Sequence, residues 1–225
     1  MRLLGYESPE EVYNHPRHQA AQQCLADLIA QLRQCSSIAE GHALQQALLG
    51  EVLTAETDRR AFARAAQRVR AGKQPQQGVP DPQSGQDPSL PETWQLEHDV
   101  CERVARQLRC VGDALAWRVY GFQRKHIIAL CQNQSPGPIA GKQGLRAELD
   151  RVEQARADGQ FALLHDLTNC LRYAGDGHQR PARPDHAARE RGEHLGSGPG
   201  CLAVRAKQLS ADRRDHGCDA AQLVR

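Results

Sequence analysis

The chain has 225 residues, a formal net charge of +2, a hydrophobic content of 40% and an aromatic content of only 4%. The mean hydropathy is −0.65, and the apolar runs are far shorter than a membrane span, which argues against a membrane protein. The net charge is neutral evidence on nucleic-acid binding, because proteins that bind nucleic acids are usually more basic overall or basic on one face.

The N-terminal residues and the cysteines both bear on the cell compartment. The N-terminus turns acidic at Glu7, before a hydrophobic signal region has formed, which predicts a cytoplasmic protein. Eight cysteines are present, and no two have C-x-x-C spacing, so we expect buried free thiols in a reducing compartment and no metal site.

Residues 8–72 form the first predicted region, which is helical. Ser8-Pro9-Glu10-Glu11 has the residues of a helix start, and a longer helix is predicted from about Arg17 to Gln34. A third helix is predicted from about His42 to Ala71, with Gly50 as a point of division. Its second half is basic, and this face is either simply solvated or contacts phosphates; the residues are Arg59, Arg60, Arg64, Arg68 and Arg70.

Residues 73–91 form a linker rich in proline and glutamine, for which we expect no regular structure. A second unit follows at 92–172. Its apolar spacing predicts a helix that Gly112-Asp113 closes, a second helix from Ala114 to Gln132, and a third around Leu145–Val152. The apolar stretch Phe161–Leu167 has the length of either a short strand or a helix.

Residues 173–225 differ in composition from everything before them. They contain no Ile, Phe, Met or Trp and only six Leu and Val residues, too few apolar groups to offset the ordering entropy of the backbone. We therefore expect a disordered tail. Arg, Ala, Gly, Pro and Asp are also what GC-rich DNA encodes when read out of frame, which supports the hypothesis of a shifted reading frame after Asp176. The predicted fold class is mainly α, with at most one short strand in the second unit.

One segment resembles a known active-site motif. Arg172-x-x-Gly175-Asp176 follows an apolar stretch and resembles the first carboxylate motif of restriction-endonuclease-like (PD-(D/E)XK) nucleases. The resemblance implies that Asp176 and the helix residue Glu97 would hold Mg²⁺ beside a scissile phosphate. That family also requires a Glu-x-Lys after the aspartate, and here the only lysine after Asp176 is Lys207. We therefore expect no intact catalytic centre and, in the chain as it stands, no cofactor; Mg²⁺ would belong to a complete domain.

The favoured function is that of a DNA-interacting accessory or regulatory protein. The predicted phosphate contacts are Arg118, Arg124, Lys125, Lys142 and Arg146. One alternative is a transcriptional regulator in which residues 122–152 form a helix-turn-helix, with a turn longer than usual. Another is a helical interaction module that forms homo-oligomers through its N-terminal helices. Enzyme activity is the least favoured function, because the second carboxylate and the lysine are missing.

Overall fold

A computed structural model of the protein describes residues 9–130 and 137–171 and the backbone of 201–204. The prediction on Asp176 lies outside the described residues. So does the prediction of a disordered tail at 173–225, except at 201–204, where it is wrong because the backbone of these residues pairs with a strand of the second unit.

Helices make up most of the described chain, which confirms the mainly α fold class. They are α1 (Pro9–Asn14), α2 (Pro16–Gln34), α3 (Ile38–Arg70), α4 (Pro91–Val119), α5 (Arg124–Leu130) and α6 (Leu145–Ala157). A short strand, β1 (Phe161–Leu164), is followed by a 3₁₀ turn at His165–Leu167, so the second unit does contain one short strand. β1 pairs antiparallel with β2 (Cys201–Val204), with Phe161 opposite Val204. None of the described helices is both long and apolar enough to cross a membrane.

The start of α3 is fixed by a capping box. The Ser37 hydroxyl accepts a hydrogen bond from the Glu40 backbone N–H at 3.2 Å, and the Glu40 carboxylate accepts one from the Ser37 N–H at 3.0 Å. These bonds satisfy helix donors that would otherwise be unpaired, and they place the start four residues before the predicted one. Gly50 does not divide α3, which continues unbroken to Arg70.

The predicted helix end at Gly112-Asp113 is wrong, because α4 continues to Val119. Gly112 is there for close packing: a Cβ atom on it would lie 1.9 Å from the Leu167 carbonyl oxygen. The Asp113 carboxylate accepts hydrogen bonds from the backbone N–H groups of Asn169 and Cys170, at 2.6 and 2.8 Å. Gly112 and Asp113 therefore hold the segment after β1 against α4. Their role is in tertiary packing, and they do not end the helix.

The predicted helix from Ala114 to Gln132 is also interrupted. α4 ends at Val119, and Gly121 and Phe122 adopt left-handed backbone angles, with φ of 58° and 57°. α5 then begins at Arg124. Two consecutive residues with left-handed backbone angles cannot continue a right-handed helix. The turn therefore separates α4 from α5, which the apolar spacing had predicted to be one helix.

Residues from both sides of the linker share one hydrophobic core. Leu48 and Val52 of α3 belong to the same buried cluster as Leu108 and Leu115 of α4, and Leu163 of β1 joins them. The described residues between Arg70 and Pro91 contain no helix or strand. The linker therefore connects two helices of a common core.

A buried glutamine ties β1 to α3. The Gln45 side-chain amide donates to the Ala162 carbonyl and accepts from the Leu164 N–H, both at 2.9 Å. His42, one turn earlier, bonds the Gln160 carbonyl at 3.0 Å through its Nε2. Gln45 therefore forms hydrogen bonds with the backbone of β1 as a neighbouring strand would. These bonds hold β1, and with it the polar groups that follow β1, in a fixed position on α3.

Candidate functional site

A row of three arginines on α3 is the main basic feature of the described surface. Arg60, Arg64 and Arg68 are four residues apart, so they lie along one ridge of the helix, about 6 Å apart and spanning about 12 Å. Each four-residue step also turns about 40° around the helix axis, given 3.6 residues per turn. Arg60 is accordingly half-buried, whereas Arg64 and Arg68 are exposed. We call these three residues the arginine row.

The arginine row is not neutralised by carboxylates on its own helix. From Arg59 to Lys73 the sequence contains six basic residues and no Asp or Glu. In the described structure neither Arg60 nor Arg64 has a carboxylate within ion-pair distance, and the Arg68 Nε donates to the Gln74 carbonyl at 2.8 Å, which leaves the charge of Arg68 unneutralised. Other solvated helix faces do have such pairs, for example Arg106 with Glu102 at 3.0 Å on α4. The row therefore presents uncompensated positive charge on a rigid helix.

A set of five charged residues, which we call the ionic cluster, lies at the buried end of the row. It consists of Glu56, Arg109, Lys142, Glu148 and Asp166. Gly141, beside Lys142, lies close to Arg60: a Cβ atom on the glycine would be 2.9 Å from the Arg60 Nη1. The cluster has two cations and three carboxylates, a formal charge of 2 − 3 = −1.

The buried half of the ionic cluster holds the segment before α6 in place. The Glu56 carboxylate pairs with the Arg109 guanidinium and accepts a hydrogen bond from the Ala140 N–H at 2.8 Å. Arg109 also donates to the carbonyls of Asp166 at 3.2 Å and Gly137 at 3.3 Å. A buried ion pair is stable only with such further hydrogen bonds, so this pair has a structural role.

Lys142 lies between two carboxylates in the outer half of the ionic cluster. Its Nζ donates to Glu148 at 2.7 Å and also to Asp166. Burial opposes the charged form of Lys142, but the two carboxylates outweigh it and raise the pKa of the ammonium. The positive charge of Lys142 is therefore neutralised internally, which leaves little of it for a phosphate.

Glu97 is fully buried and acts as a tether. Its carboxylate accepts hydrogen bonds from His15 Nε2 at 3.0 Å, Arg17 Nε at 3.2 Å and the Ser84 N–H at 3.0 Å, and also from the Gln83 N–H. Burial opposes ionisation, but these donors outweigh it and hold the pKa of Glu97 below its ordinary value. Four donors occupy the acceptor positions that a metal ion would need.

The other predicted phosphate contacts divide into two groups. Arg118 donates to the carbonyls of Leu32, at 3.0 Å, and Cys35, so it caps the C-terminal end of α2. Arg146 pairs with Asp150 at 3.1 Å on the surface of α6. Arg124 and Lys125 are exposed at the start of α5, and the described chain gives neither an ion-pair partner. Arg124 and Lys125 are therefore accessible for contact with a phosphate, whereas the guanidinium of Arg118 is used at the end of α2.

One further group has the residue types of a metal site. Potential ligand atoms of His98, Asp99 and Glu102 lie within 4.8 Å of one another on α4. They already have partners, because His98 bonds Asp99 at 2.9 Å and Glu102 pairs with Arg106 at 3.0 Å. These contacts account for the group without an ion.

The ionic cluster was not predicted from the sequence, although the sequence contains one signal of it. Arg109 falls between Leu108 and Val111 on the apolar face of α4, where a charged side chain requires a buried partner. The partner, Glu56, lies on another helix, and nothing in local spacing identifies it.

The chain was compared with protein-family models, with curated proteins and with solved structures, and no match was found.

Proposed function

We propose that this protein binds duplex DNA through the arginine row and acts as an accessory or regulatory factor without a catalytic centre of its own. The observation that carries the proposal is the uncompensated charge of Arg60, Arg64 and Arg68 along one ridge of α3. Arg124 and Lys125 offer a second exposed basic pair.

The arginine row has a rigid support and three cations with which to contact a phosphate backbone. α3 has 33 residues and is anchored in the core by Leu44 and Leu48, so its guanidinium groups are held on a rigid support. Each neutralised phosphate changes the slope of log K against log salt by about −0.9 for B-DNA. Three contacts from the row would therefore contribute a slope of about −2.7.

The accessory role is supported by how the carboxylates are used. Glu97 is surrounded by hydrogen-bond donors, and Glu56 is paired with Arg109. The carboxylates of Glu148 and Asp166 both hold Lys142. Carboxylates engaged in this way do not provide the open pair of oxygen ligands that Mg²⁺ needs beside a phosphate. A cytoplasmic location, in keeping with the free buried thiols of Cys35 and Cys101, belongs to the same proposal.

The test is fluorescence anisotropy with a labelled duplex of about 20 base pairs, titrated over a series of salt concentrations from about 50 to 200 mM. We expect the double variant Arg64→Glu/Arg68→Glu to lose most of its affinity and to show a shallower salt dependence. The matched control is Arg151→Glu/Arg156→Glu, which makes the same charge change at two exposed positions of α6, outside the row. We also expect Arg124→Glu/Lys125→Glu to weaken binding.

Two outcomes would contradict the proposal. If the wild-type chain has no affinity for the duplex at low salt, the DNA-binding role is wrong. In that case, concentration-dependent self-association by sedimentation would favour the interaction module, with Ile29, exposed on α2, as a contact to substitute. Duplex cleavage that depends on Mg²⁺ would refute the accessory role and restore the nuclease alternative.

A further inference from the structure

Phe122 has an unusual backbone conformation. It is the only residue other than glycine in the described structure with a positive φ, of 57°. An L-residue with a side chain is strained in this region, and such strain persists only where surrounding contacts impose it. Here the Phe122 N–H donates to the Trp117 carbonyl at 2.8 Å, and the Gln123 N–H donates to the Tyr120 carbonyl at 3.1 Å.

The strained conformation does not serve to bury the ring. Phe122 is 60% exposed as a residue, the highest value among the large hydrophobic residues of the described structure. Ile128, one turn along α5, is 57% exposed. A glycine would satisfy the same turn without strain, so the aromatic ring is retained at a cost in stability that no contact within the described chain explains.

The charge around Phe122 indicates which kind of ligand the ring would contact. From Ala114 to Ala147 the sequence has no Asp or Glu, whereas it has three Arg and two Lys residues. Gln123, Arg124 and Lys125 follow the ring directly and are all exposed. An exposed aromatic ring beside unpaired cations is complementary to a ligand with flat π faces and a negatively charged backbone, which is the chemistry of a nucleic-acid strand.

An anionic membrane surface fits less well. α5 has only seven residues, and Ile128 is the only large apolar side chain exposed on it. Membrane binding by an interfacial helix requires a broad apolar face, which a helix of two turns with one such residue does not provide.

We infer that Phe122 stacks on an unpaired base of a DNA strand whose phosphates are contacted by Arg124 and Lys125. This rests on the proposed function and makes it more specific: the preferred ligand is DNA that contains a single-stranded or unpaired stretch. The arginine row supplies the sequence-independent contact with the backbone, and the Phe122 turn distinguishes exposed bases from a closed duplex.

The test uses the full chain and two labelled probes, an oligo-dT of about 20 nucleotides and a closed duplex of the same length, at equal salt. We expect Phe122→Gly to weaken binding of oligo-dT by about 5- to 150-fold, the range for loss of one base-stacking contact. Duplex affinity should change by less than about twofold, because the phosphate contacts remain. The melting temperature of Phe122→Gly should not fall, since glycine relieves the strained φ.

Conservative variants separate stacking from hydrophobicity. Phe122→Trp should keep the affinity for oligo-dT, whereas Phe122→Leu should lose it in spite of its apolar side chain. Ile128→Ala is the control for an exposed apolar residue beside the turn, and it should bind like the wild type.

The outcomes distinguish this inference from the proposed function. If Phe122→Gly binds oligo-dT as the wild type does while the duplex is still bound, the stacking role is refuted and the proposed function stands. If the wild type binds neither probe, both fail. Anionic phosphatidylserine vesicles serve as a third probe: if Phe122→Gly loses binding to the vesicles and keeps its binding to both DNA probes, the ring contacts a membrane and the inference is overturned.

Discussion

Gly112 provides the sharpest test of how α4 packs. A Cβ atom at this position would lie 1.9 Å from the carbonyl oxygen and 2.8 Å from the carbonyl carbon of Leu167. Ordinary van der Waals contact begins at 3.4 Å, so Gly112→Ala requires a displacement of 3.4 − 1.9 = 1.5 Å. Leu167 is fully buried, and Asp113 anchors the two residues that follow Thr168. The segment therefore has little freedom to move away.

The expected magnitude is a balance of two effects. Overpacking costs about 1–3 kcal/mol, and a clash with backbone belongs at the upper end of that range. Alanine in a helix interior is favoured over glycine by about 1 kcal/mol. We therefore expect Gly112→Ala to lower the free energy of unfolding by about 2 kcal/mol, or the melting temperature by about 4–8 °C.

Gly50→Ala is the matched control, because it makes the same substitution in the interior of α3, where nothing lies within 4 Å of the added Cβ. It should raise the free energy of unfolding by up to about 1 kcal/mol. The measurement is urea denaturation followed by far-ultraviolet circular dichroism. Equal stabilisation of both variants would show that Gly112 is an ordinary helix residue and that the close approach to Leu167 is not real.

Three further predictions concern buried polar groups and thiols. Gln45→Leu leaves two buried backbone groups of β1 without partners and should cost about 2–4 kcal/mol in urea denaturation, whereas Gln46→Leu, at an exposed position of the same helix, should change little. The pKa of Glu97 is lowered in the fold, so the stabilisation from this carboxylate is present above its unfolded-state pKa and is lost as the pH falls through its folded-state pKa. Glu97→Gln should therefore be less stable than the wild type at neutral pH and should lose less stability on acidification. An acid-unfolding profile identical to that of the wild type would contradict this. Thiol labelling at mildly alkaline pH should modify the exposed Cys110 before Cys101, because burial raises the Cys101 pKa to about 12; equal rates would mean that Cys101 is accessible.

The local features of the fold could be predicted from the sequence. Apolar spacing gave α2 to within one residue at its start, and the basic half of α3 was visible as a run of arginines. The predicted helix boundaries were wrong where tertiary contacts override the local sequence signals. Gly112-Asp113 has the composition of a helix stop, yet it serves the packing of the segment after β1.

The polar contacts of the site were less predictable because their partners are distant in the chain. Glu56 and Arg109 are 53 positions apart, and Glu97 is 82 positions from His15. Neither pair has a spacing rule, and each depends on how α3 and α4 pack. Exposure of Arg124 and Lys125 followed from the amphipathic pattern, whereas the use of Arg118 as a helix cap depended on where α2 ends.

The geometry of α3 explains how one helix contributes both to a core and to a basic surface. Glu56, Arg60, Arg64 and Arg68 lie on a single four-residue ridge, which turns about 40° per step away from the α4 interface. At its buried end the ridge requires charge compensation, and Arg109 supplies it from α4. Because Arg109 neutralises Glu56, Arg60 is not needed as the partner of that carboxylate, and the positive charge of the row stays directed towards solvent. The buried ion pair therefore matters for the proposed binding surface, even though neither of its members would touch DNA.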